Sequence, residues 1–400
     1  MKQRVVVTGI GLVSPLGDTP AEAFAAVMAG RSAVSLMTGE GMAAAAVAHA
    51  SFDAARWFTR LQLAGVDRVS QMAVAAGELA RDDAGLAHLG DEAGIYVGTG
   101  MGGAAAMEQA YGNLHGGRRI PPLSIPAFMA NAPAAHLAMR TTVHGPVFTY
   151  SMACASAAVA IAEAAKSIAR GEIGCALAGG SEALLVPGVI GAWQSLQTLA
   201  APGNDPASAC RPFSSVRSGL VLGEGAAFLL LEALPAAQAR GARIYAEFAG
   251  SGFSCDAAHL TRPDAAGQVR ALRAALRDSG LAPRDIGYCN AHGTATHTGD
   301  VVECNALREV WGGDIDCLQV SSTKALHGHL LGAAGALEAA LTIMALHGQA
   351  LPPNMHCETQ DPACAVRLVR TPAAAPDLTA AISNSFAFGG SNAVLVFRRC

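Results

Sequence analysis

Two long alanine-rich stretches constrain the fold of this chain more than any other feature. Residues 155–170 and 330–347 are each followed by a glycine, Gly171 and Gly348. Alanine has the highest helix propensity, and glycine is preferred just after the last helical turn, so both stretches are predicted to be helices. A helix with small apolar residues on nearly every face has no solvent-facing side. Both helices must therefore be buried on nearly all sides.

Apolar and β-branched runs next to these helices predict strands. Residues 146–151 and 173–178 flank the first helix, residues 318–320 precede the second, and residues 94–98 form a further run. The order of strand, helix and strand in the first half thus recurs in the second.

The terminal pieces of the two halves also resemble each other. Residues 221–231 and 388–397 both consist of a glycine-containing segment followed by an apolar run. A chain of 400 residues that is 52% hydrophobic can form one large α/β body. We therefore predict two related α/β halves, residues 1–245 and residues 246–400.

The opening residues 4–11 predict a buried strand that ends in a tight glycine turn at Gly9 and Gly11. Dinucleotide-binding folds begin in the same way. Here, however, Ser14 stands at the third glycine position of GxGxxG, and no acidic residue ends a second strand about 20 residues further on. Nucleotide binding is therefore not expected.

The overall charge gives no sign of a polyanionic partner. The formal net charge is −4 and 14% of residues are charged, so neither nucleic acid nor an anionic membrane surface is indicated. No apolar run reaches the roughly 18 residues of a spanning helix, and the run Val5–Val7 is too short for a signal-peptide core. The ten cysteines are scattered without a CxxC pair, which indicates reduced thiols in a cytoplasmic protein and no structural zinc.

Cys154 differs from the other cysteines in its surroundings. A lone cysteine at a strand-to-helix junction is usually an inert small apolar residue. Cys154 lies among the small residues of Met152–Ser156, directly before a predicted helix. A helix N-terminus supplies a positive dipole end and free N–H groups, which favour a thiolate and can form an oxyanion hole.

The second half contributes two candidate histidines. His292 comes just after the strand around residues 286–289, and His329 follows Gly328, which lets the backbone pass close to it. The ends of strands in α/β folds present side chains to a crevice. Each histidine taken singly is more often structural than catalytic.

Four segments together resemble the signature blocks of elongating β-ketoacyl synthases, which belong to the thiolase superfamily. They are residues 152–156, 292–294, 324–335 and 384–392. They occur in the family's order, and the likeness runs from Val5 to Phe397. The resemblance implies a thiolase-like α-β-α-β-α body and an acyltransferase that condenses an acyl thioester with malonyl-acyl-carrier-protein, with no cofactor and no metal.

The resemblance also implies roles for individual residues. Cys154 would be the nucleophile, and His292 and His329 would donate hydrogen bonds to the malonyl-derived oxygen. Lys324 would lie in a charged network beside His329. The N–H groups of Cys154 and Phe388 would hold the acyl-derived oxygen, and the ring of Phe388 would act as a gate.

Further positions match family residues that line the site or support it. The matches that line the pantetheine arm or the acyl pocket are Thr294, Thr296, Met101, Trp193 and Phe386. The acidic matches that support the charged network are Asp300, Glu303 and Glu338.

The chain departs from the family pattern at several positions. His297 replaces a proline, His327 replaces a small or polar residue, and both are expected at the rim of the site. The region 61–67, where the family carries basic residues for carrier docking, has none, although Arg60, Arg68, Arg118 and Arg119 lie nearby in sequence.

Alternatives remain for the pathway and the assembly. The same chemistry could serve fatty-acid, polyketide or aryl-polyene synthesis, and the expected dimer could be a homodimer or a heterodimer. A non-catalytic chain-length partner subunit is another alternative, although such subunits typically lack the nucleophile. A degradative thiolase is disfavoured because Phe388 stands where that enzyme has its second cysteine.

Overall fold

The structure of the chain is a computed structural model that describes residues 3–39 and 42–400. Its strands are β1 Val5–Val13, β2 Val34–Gly39, β3 Met42–Ala48, β4 Gly94–Gly98, β5 Val147–Tyr150, β6 Cys175–Glu182, β7 Leu222–Gly223, β8 Gly225–Ala233, β9 Ala246–Cys255, β10 Tyr288–Asn290, β11 Gln319–Ser321, β12 Ala350–Leu351, β13 Arg367–Leu368, β14 Ala373–Ala374, β15 Ala380–Phe386 and β16 Ser391–Arg398. Its helices are α1 Pro20–Met28, α2 Arg60–Leu63, α3 Arg68–Asp83, α4 Ala104–His115, α5 Ser124–Phe128, α6 Ala132–Thr141, α7 Ser156–Ala169, α8 Pro187–Ser195, α9 Leu234–Ala239, α10 Ala265–Ser279, α11 His297–Trp311, α12 Lys324–His327 and α13 Ala334–Gly348.

One mixed sheet forms the frame of the molecule. Its eleven strands lie in the order β13-β11-β10-β15-β16-β9-β1-β8-β6-β4-β5. Strands from the first half of the chain occupy one side of the sheet and strands from the second half occupy the other. The two sets meet where β1 pairs antiparallel with β9.

The two sets of strands repeat one pairing pattern. From β5 inward, β5, β4 and β6 are parallel, and β8 and β1 follow as antiparallel strands. From β11 inward, β11, β10 and β15 are parallel, and β16 and β9 follow as antiparallel strands. The predicted two related α/β halves are therefore confirmed at the level of the fold. The division at residue 245 stays a prediction.

Helices α7 and α13 lie at the centre of a layered body. Both pack against strands from both sets, while α3 covers the outer face of the first set and α10 covers that of the second. This is the α-β-α-β-α order of layers, and the two alanine-rich helices are its buried middle layer, as predicted. Residues 331–348 are also long and apolar enough to cross a membrane, but 83% of them are buried inside the protein, which marks a core helix.

Gly9 and Gly11 do not form the predicted turn. They lie inside β1, which continues to Val13. A Cβ atom on Gly9 would lie 2.1 Å from the carbonyl oxygen of Ala80, and one on Gly11 would lie 2.0 Å from that of Ala76. Both contacts are with α3, so these glycines allow a helix backbone to lie directly on the strand.

Two predicted boundaries are shifted for a similar reason. Strand β6 does not end at Gly179 and Gly180 but continues to Glu182, because these glycines leave room for neighbouring backbone. The second central helix begins at Ala334 instead of Leu330, since a 3₁₀ turn over Leu331–Ala333 comes first.

The close approach at Gly11 predicts a specific loss of stability. Gly11→Ala should lower the free energy of unfolding by about 1–3 kcal/mol, as expected for overpacking a filled site. The matched control is Gly174→Ala, because nothing lies within 4 Å of a Cβ atom added at Gly174. Urea denaturation measures both. A Gly11→Ala protein as stable as the control would contradict the close packing of β1 on α3.

Candidate active site

Cys154 lies in the connection between β5 and α7. Ala153 just before it has a left-handed backbone with φ of +46°, a conformation that is costly for any residue other than glycine. The hydroxyl of Ser156 stabilises this turn, since it accepts from the N–H of Met152 at 2.8 Å and donates to the carbonyl of Ala153 at 2.6 Å. The strained turn places Cys154 ahead of the helix, where its side chain is only 7% exposed.

His329 contacts the thiol directly. Its Nε2 lies 3.0 Å from Sγ of Cys154. The preceding Gly328 has φ of +65° and ψ of −170°, a region open essentially to glycine alone. The N–H of His329 also donates to the carbonyl of Val221 at 2.7 Å. Backbone conformation and a strand-like contact therefore aim the imidazole at the thiol.

His292 completes a cluster of three. It follows β10, and its ring lies 5.3 Å from that of His329 between centroids. Glu303 accepts from the N–H groups of His292 and Gly293, both at 2.8 Å, and also from the side-chain amide of Asn384 at 3.0 Å. In the sequence, Asn384 is only one residue of a signature block. Its hydrogen bond to Glu303 shows that it holds the carboxylate that fixes the backbone of His292.

Burial decides the protonation of the cluster. It raises the pKa of the Cys154 thiol to about 12, although the Lys324 charge and the N–H of Phe388 lower it. Burial and the Lys324 charge hold the pKa of both His292 and His329 well below the usual range. A neutral thiol thus faces two neutral imidazoles. The sequence predicts that the helix end favours a thiolate, but the loss of hydration outweighs that effect here.

Lys324 and Glu338 form a fully buried ion pair behind the histidines. Nζ of Lys324 lies 2.5 Å from Oε1 of Glu338, and neither side chain is exposed. Burial raises the pKa of Glu338 to about 7, while the Lys324 charge lowers it. The pair therefore brings a positive charge close to the cluster without contacting Cys154.

Asp300 supports the loop that carries His292. It accepts from the N–H groups of Phe213 at 2.7 Å and Ala295 at 3.1 Å. Burial raises the pKa of Asp300 to about 7, and these N–H donors together with the Arg217 charge lower it. Asp300 is therefore a support of the loop and not part of the cavity wall.

A cavity of about 330 Å³ opens in front of the cluster. The predicted residues that line it are Cys154, His292, His329, Thr294, Thr296, Glu303, Trp193, Phe386 and Phe388. Met101 lies outside this cavity, and its side chain is 49% exposed on the loop after β4. Its place in an acyl pocket stays a prediction.

Two aromatic residues meet at the wall of the cavity. The rings of Trp193 and Phe388 stack with centroids 5.7 Å apart and planes 24° apart. Phe386 is buried, with its ring 6.3 Å from that of His292. The last residue of β15 and the turn directly after it thus supply the two phenylalanines, one beside a histidine and one against α8.

The two additional histidines lie in different environments. His297 lines the cavity at the start of α11. His327 is fully buried with its Nε2 2.9 Å from the hydroxyl of Thr323, so the expectation that it lies at the rim is wrong. Residue 327 is in the short helix α12, which points this side chain into the core.

The three residues of the cluster also have the spacing of a metal site. The thiol of Cys154 and the imidazoles of His292 and His329 offer atoms within 4.8 Å of one another. The absence of a catalytic metal, which is expected from the sequence, stays a prediction.

Comparison with known families identifies the fold. Residues 2–237 match the β-ketoacyl synthase N-terminal domain, and residues 245–358 match the β-ketoacyl synthase C-terminal domain. The chain belongs to the β-ketoacyl synthase family. The thiolase-like fold and the acyltransferase class predicted from the sequence are thereby confirmed.

Relatives of this β-ketoacyl synthase match along its whole length. A 3-oxoacyl-[acyl-carrier-protein] synthase 2 of Synechocystis sp. is 37% identical over 409 residues, which cover 100% of this chain and 98% of the relative. Nodulation protein E of Rhizobium sp. is 40% identical, with 100% of both chains covered.

Solved structures agree over the full chain as well. The ishigamide ketosynthase/chain length factor superposes with a TM-score of 0.94 at 33% identity, covering 100% of both chains. The ketosynthase of a type II polyketide synthase, solved with its acyl-carrier protein as AntDE:AntF, superposes with a TM-score of 0.91 at 29% identity, again with 100% of both chains covered.

The buried ion pair gives this β-ketoacyl synthase a testable weakness. Glu338→Gln should cost about 3–5 kcal/mol of stability, because it leaves the Lys324 charge buried without a partner. The double variant Lys324→Met with Glu338→Leu should lose much less, since no charge remains to be buried.

Urea denaturation of these variants can be compared with that of Glu309→Gln. Glu309 pairs with Arg273 at 3.2 Å where both side chains are more than half exposed, so its loss should cost at most about 1 kcal/mol. Equal stability losses for Glu338→Gln and Glu309→Gln would contradict the burial of the pair.

Proposed function

We propose that this chain condenses an acyl group held on Cys154 with malonyl-acyl-carrier-protein and releases carbon dioxide. The observation that carries the proposal is the 3.0 Å contact between Cys154 Sγ and His329 Nε2 at the wall of a cavity that His292 also lines. A thiol beside an imidazole is the arrangement that activates a cysteine nucleophile. The relatives named as 3-oxoacyl-carrier-protein synthases support the choice of substrate.

In the first half-reaction, sulfur attacks the carbonyl carbon of an acyl thioester. The new bond joins Sγ of Cys154 to the acyl group, and the bond to the pantetheine sulfur breaks. The thiol proton must end on the departing pantetheine thiolate, and His329 Nε2 is the group close enough to carry it. The N–H of Phe388, which lowers the pKa of the thiol, together with that of Cys154 would hold the carbonyl oxygen as it becomes negative.

In the second half-reaction, the malonyl carboxylate leaves as carbon dioxide. The electron pair of the broken bond forms an enolate on the thioester oxygen, and His292 and His329 hold that oxygen through N–H groups. A neutral imidazole can carry its proton on either ring nitrogen, so His329 can serve both half-reactions. The enolate carbon then attacks the acyl carbonyl, and Cys154 leaves as a thiolate that takes up a proton from solvent, since the original thiol proton left with the pantetheine thiol. The product is a 3-oxoacyl thioester on the carrier.

The carrier protein would dock near α2, with few basic contacts. Arg68 is occupied, since it pairs with Glu224 at 2.7 Å. Arg60, Arg118 and Arg119 are exposed, and Leu61 is 87% exposed on the same helix as Arg60. An acidic carrier helix would therefore meet three arginines around an apolar contact, and the affinity would fall with salt.

A dimer formed through β5 fits the exposed surface. This strand lies at the edge of the sheet, with Val147 and Phe148 exposed. Among the described residues, most of the large apolar side chains that are exposed lie between residues 101 and 148. An uncovered apolar edge strand is a ready pairing site for another chain. A second copy of this chain would extend the sheet, and a related partner chain would do so in a heterodimer.

We place the pathway in fatty-acid or polyketide synthesis, because the full-length relatives include a 3-oxoacyl-[acyl-carrier-protein] synthase and the ketosynthase of a type II polyketide synthase. The reaction uses only the phosphopantetheine of the carrier, and a cytoplasmic location suits its ten free cysteines. A non-catalytic chain-length subunit is disfavoured by the intact cluster of Cys154, His292 and His329.

Cys154→Ala should abolish the acyl-enzyme. Wild-type protein incubated with a panel of acyl-carrier proteins should gain the mass of one acyl group, while the variant should gain none. Intact-mass spectrometry measures this. Cys175→Ala, which removes another partly buried thiol, should acylate as the wild type does. Acylation of the Cys154→Ala protein would remove Cys154 from the proposal.

The two histidines should differ in the half-reaction that they serve. His292→Ala should lower malonyl decarboxylation about a hundredfold, as for loss of one oxyanion donor, and leave the first acylation nearly unchanged. His329→Ala should slow both, since His329 alone contacts the thiol. Rapid-quench acylation and carbon dioxide release separate the steps. Equal slowing of acylation by both variants would show that these roles are misassigned.

Phe388→Ala should uncouple decarboxylation from condensation. The ring stacks on Trp193 at the wall of the cavity that Cys154 also lines, and Gly389 and Gly390 after it have φ of +85° and +74°, so the segment can swing at these glycines. Without the ring, malonyl thioester would reach an unacylated Cys154. The ratio of carbon dioxide to condensed product should rise. If instead the ratio is unchanged and stability falls by about 3–5 kcal/mol, Phe388 is fixed core and not a gate.

A further inference from the structure

A buried carboxylate at the end of β6 has no part in the chemistry described so far. Glu182 is fully buried, and its oxygens accept from four donors. The donors are the N–H groups of Gly100 at 2.6 Å, Gly332 at 3.0 Å and Met101 at 3.3 Å, and the hydroxyl of Thr99 at 3.2 Å. One carboxylate thus joins the loop after β4 to the 3₁₀ turn at Leu331–Ala333.

This turn directly follows the histidine that contacts the thiol. Leu331 has a left-handed backbone with φ of +47°, which is costly for a branched residue and persists only when its surroundings fix it. On its other side, His329 is held by Val221 and by the N–H of Gly223, which donates to its carbonyl at 2.9 Å. The bond from Gly332 to Glu182 therefore adds a further fixed point to the segment that carries the imidazole.

The same place also holds the start of the nucleophile's helix. A Cβ atom on Gly332 would lie 2.3 Å from the nitrogen of Gly100, and one on Gly180 would lie 2.7 Å from the Cβ of Ala157. Ala157 is in the first turn of α7, three residues after Cys154. The ends of β4 and β6, the start of α7 and the turn after His329 are packed with almost no free space around Glu182.

We propose that Glu182 is a positioning residue that fixes His329 relative to Cys154. It contacts neither the thiol nor the cavity and acts through the backbone of Gly332. Through Gly100 and Met101 it ties the loop beside the exposed apolar edge to the same junction. The inference rests on the proposed condensation, since it assigns a role within that reaction.

Glu182→Gln tests this role because it keeps the size of the side chain and turns one acceptor oxygen into a donor amide. The amide would face backbone N–H groups, so the turn should shift. We expect kcat for condensation to fall about tenfold or more, as a small misplacement of a catalytic group can cause, with KM for the carrier substrates nearly unchanged.

The matched control is Glu232→Gln. Glu232 is a buried carboxylate on β8, which pairs with β6, but it lies at the opposite end of the two strands and pairs with Arg240 at 2.5 Å. This control should lose stability as Glu182→Gln does and keep the wild-type kcat. A similar fall of kcat in both variants would show that the effect is general loss of stability, and it would overturn the proposal.

A double-mutant cycle with His329→Ala gives the decisive comparison. If Glu182 acts through His329, Glu182→Gln should cause little further loss of decarboxylation in the His329→Ala protein. Full additivity of the two losses would overturn the positioning role.

Glu182→Asp restores the charge one methylene shorter and should recover part of the lost kcat. Glu182→Asp also provides the test if Glu182→Gln does not fold. If Glu182→Asp loses the hydrogen bond from the Gly332 N–H and still has the wild-type kcat, the proposal is contradicted. If wild-type protein condenses and Glu182→Gln has wild-type kcat, only the positioning role fails. If the wild-type protein catalyses no condensation with any of the carrier proteins tested, the proposed function fails and this inference fails with it.

Discussion

The contact between Cys154 and His329 is the interaction on which the rest of the structure depends. The two residues are 175 positions apart in sequence, and their side chains meet at 3.0 Å. Each lies just before one of the two central helices, α7 and α13. Bringing these two helix starts together requires both helices to share the middle layer, which is why alanine and glycine dominate there: larger side chains would keep the backbones apart.

Burial gives this contact its chemical character. Burial raises the pKa of the Cys154 thiol and lowers the pKa of both imidazoles, so we do not expect reactivity from a standing thiolate. It must come from a proton transfer that accompanies attack, over a distance that the fold fixes in advance. The Lys324–Glu338 pair places the positive charge of Lys324 near the cluster. Because both charges are buried, the stability of the protein depends on the two side chains staying paired. Strained residues such as Ala153 and Leu331 are found at the same place.

Much of this site could be predicted from the sequence, because its residues lie in short local patterns. The Cys154 junction and His292 each follow a predicted strand, His329 follows a glycine, and the signature blocks fix their order. Other features depend on contacts distant in sequence. Gly11 makes room for the backbone of α3, about 65 to 70 residues later in the chain. The sequence near Gly11 does not show this contact, so it predicts a turn instead. Glu182 shows its role only once Gly332 is beside it. His327 belongs to a histidine-rich block, and only the direction of α12 shows that it faces the core.

The ionisation of Cys154 tests the central claim most directly. Thiolate has an ultraviolet absorbance that the thiol lacks, and subtracting a pH titration of Cys154→Ala from that of the wild type isolates the signal of this residue. Because burial raises the pKa of the thiol to about 12, the difference should be absent at neutral pH and appear only well above the pH at which an ordinary cysteine ionises. A full thiolate signal from Cys154 at neutral pH would contradict a neutral thiol activated by His329.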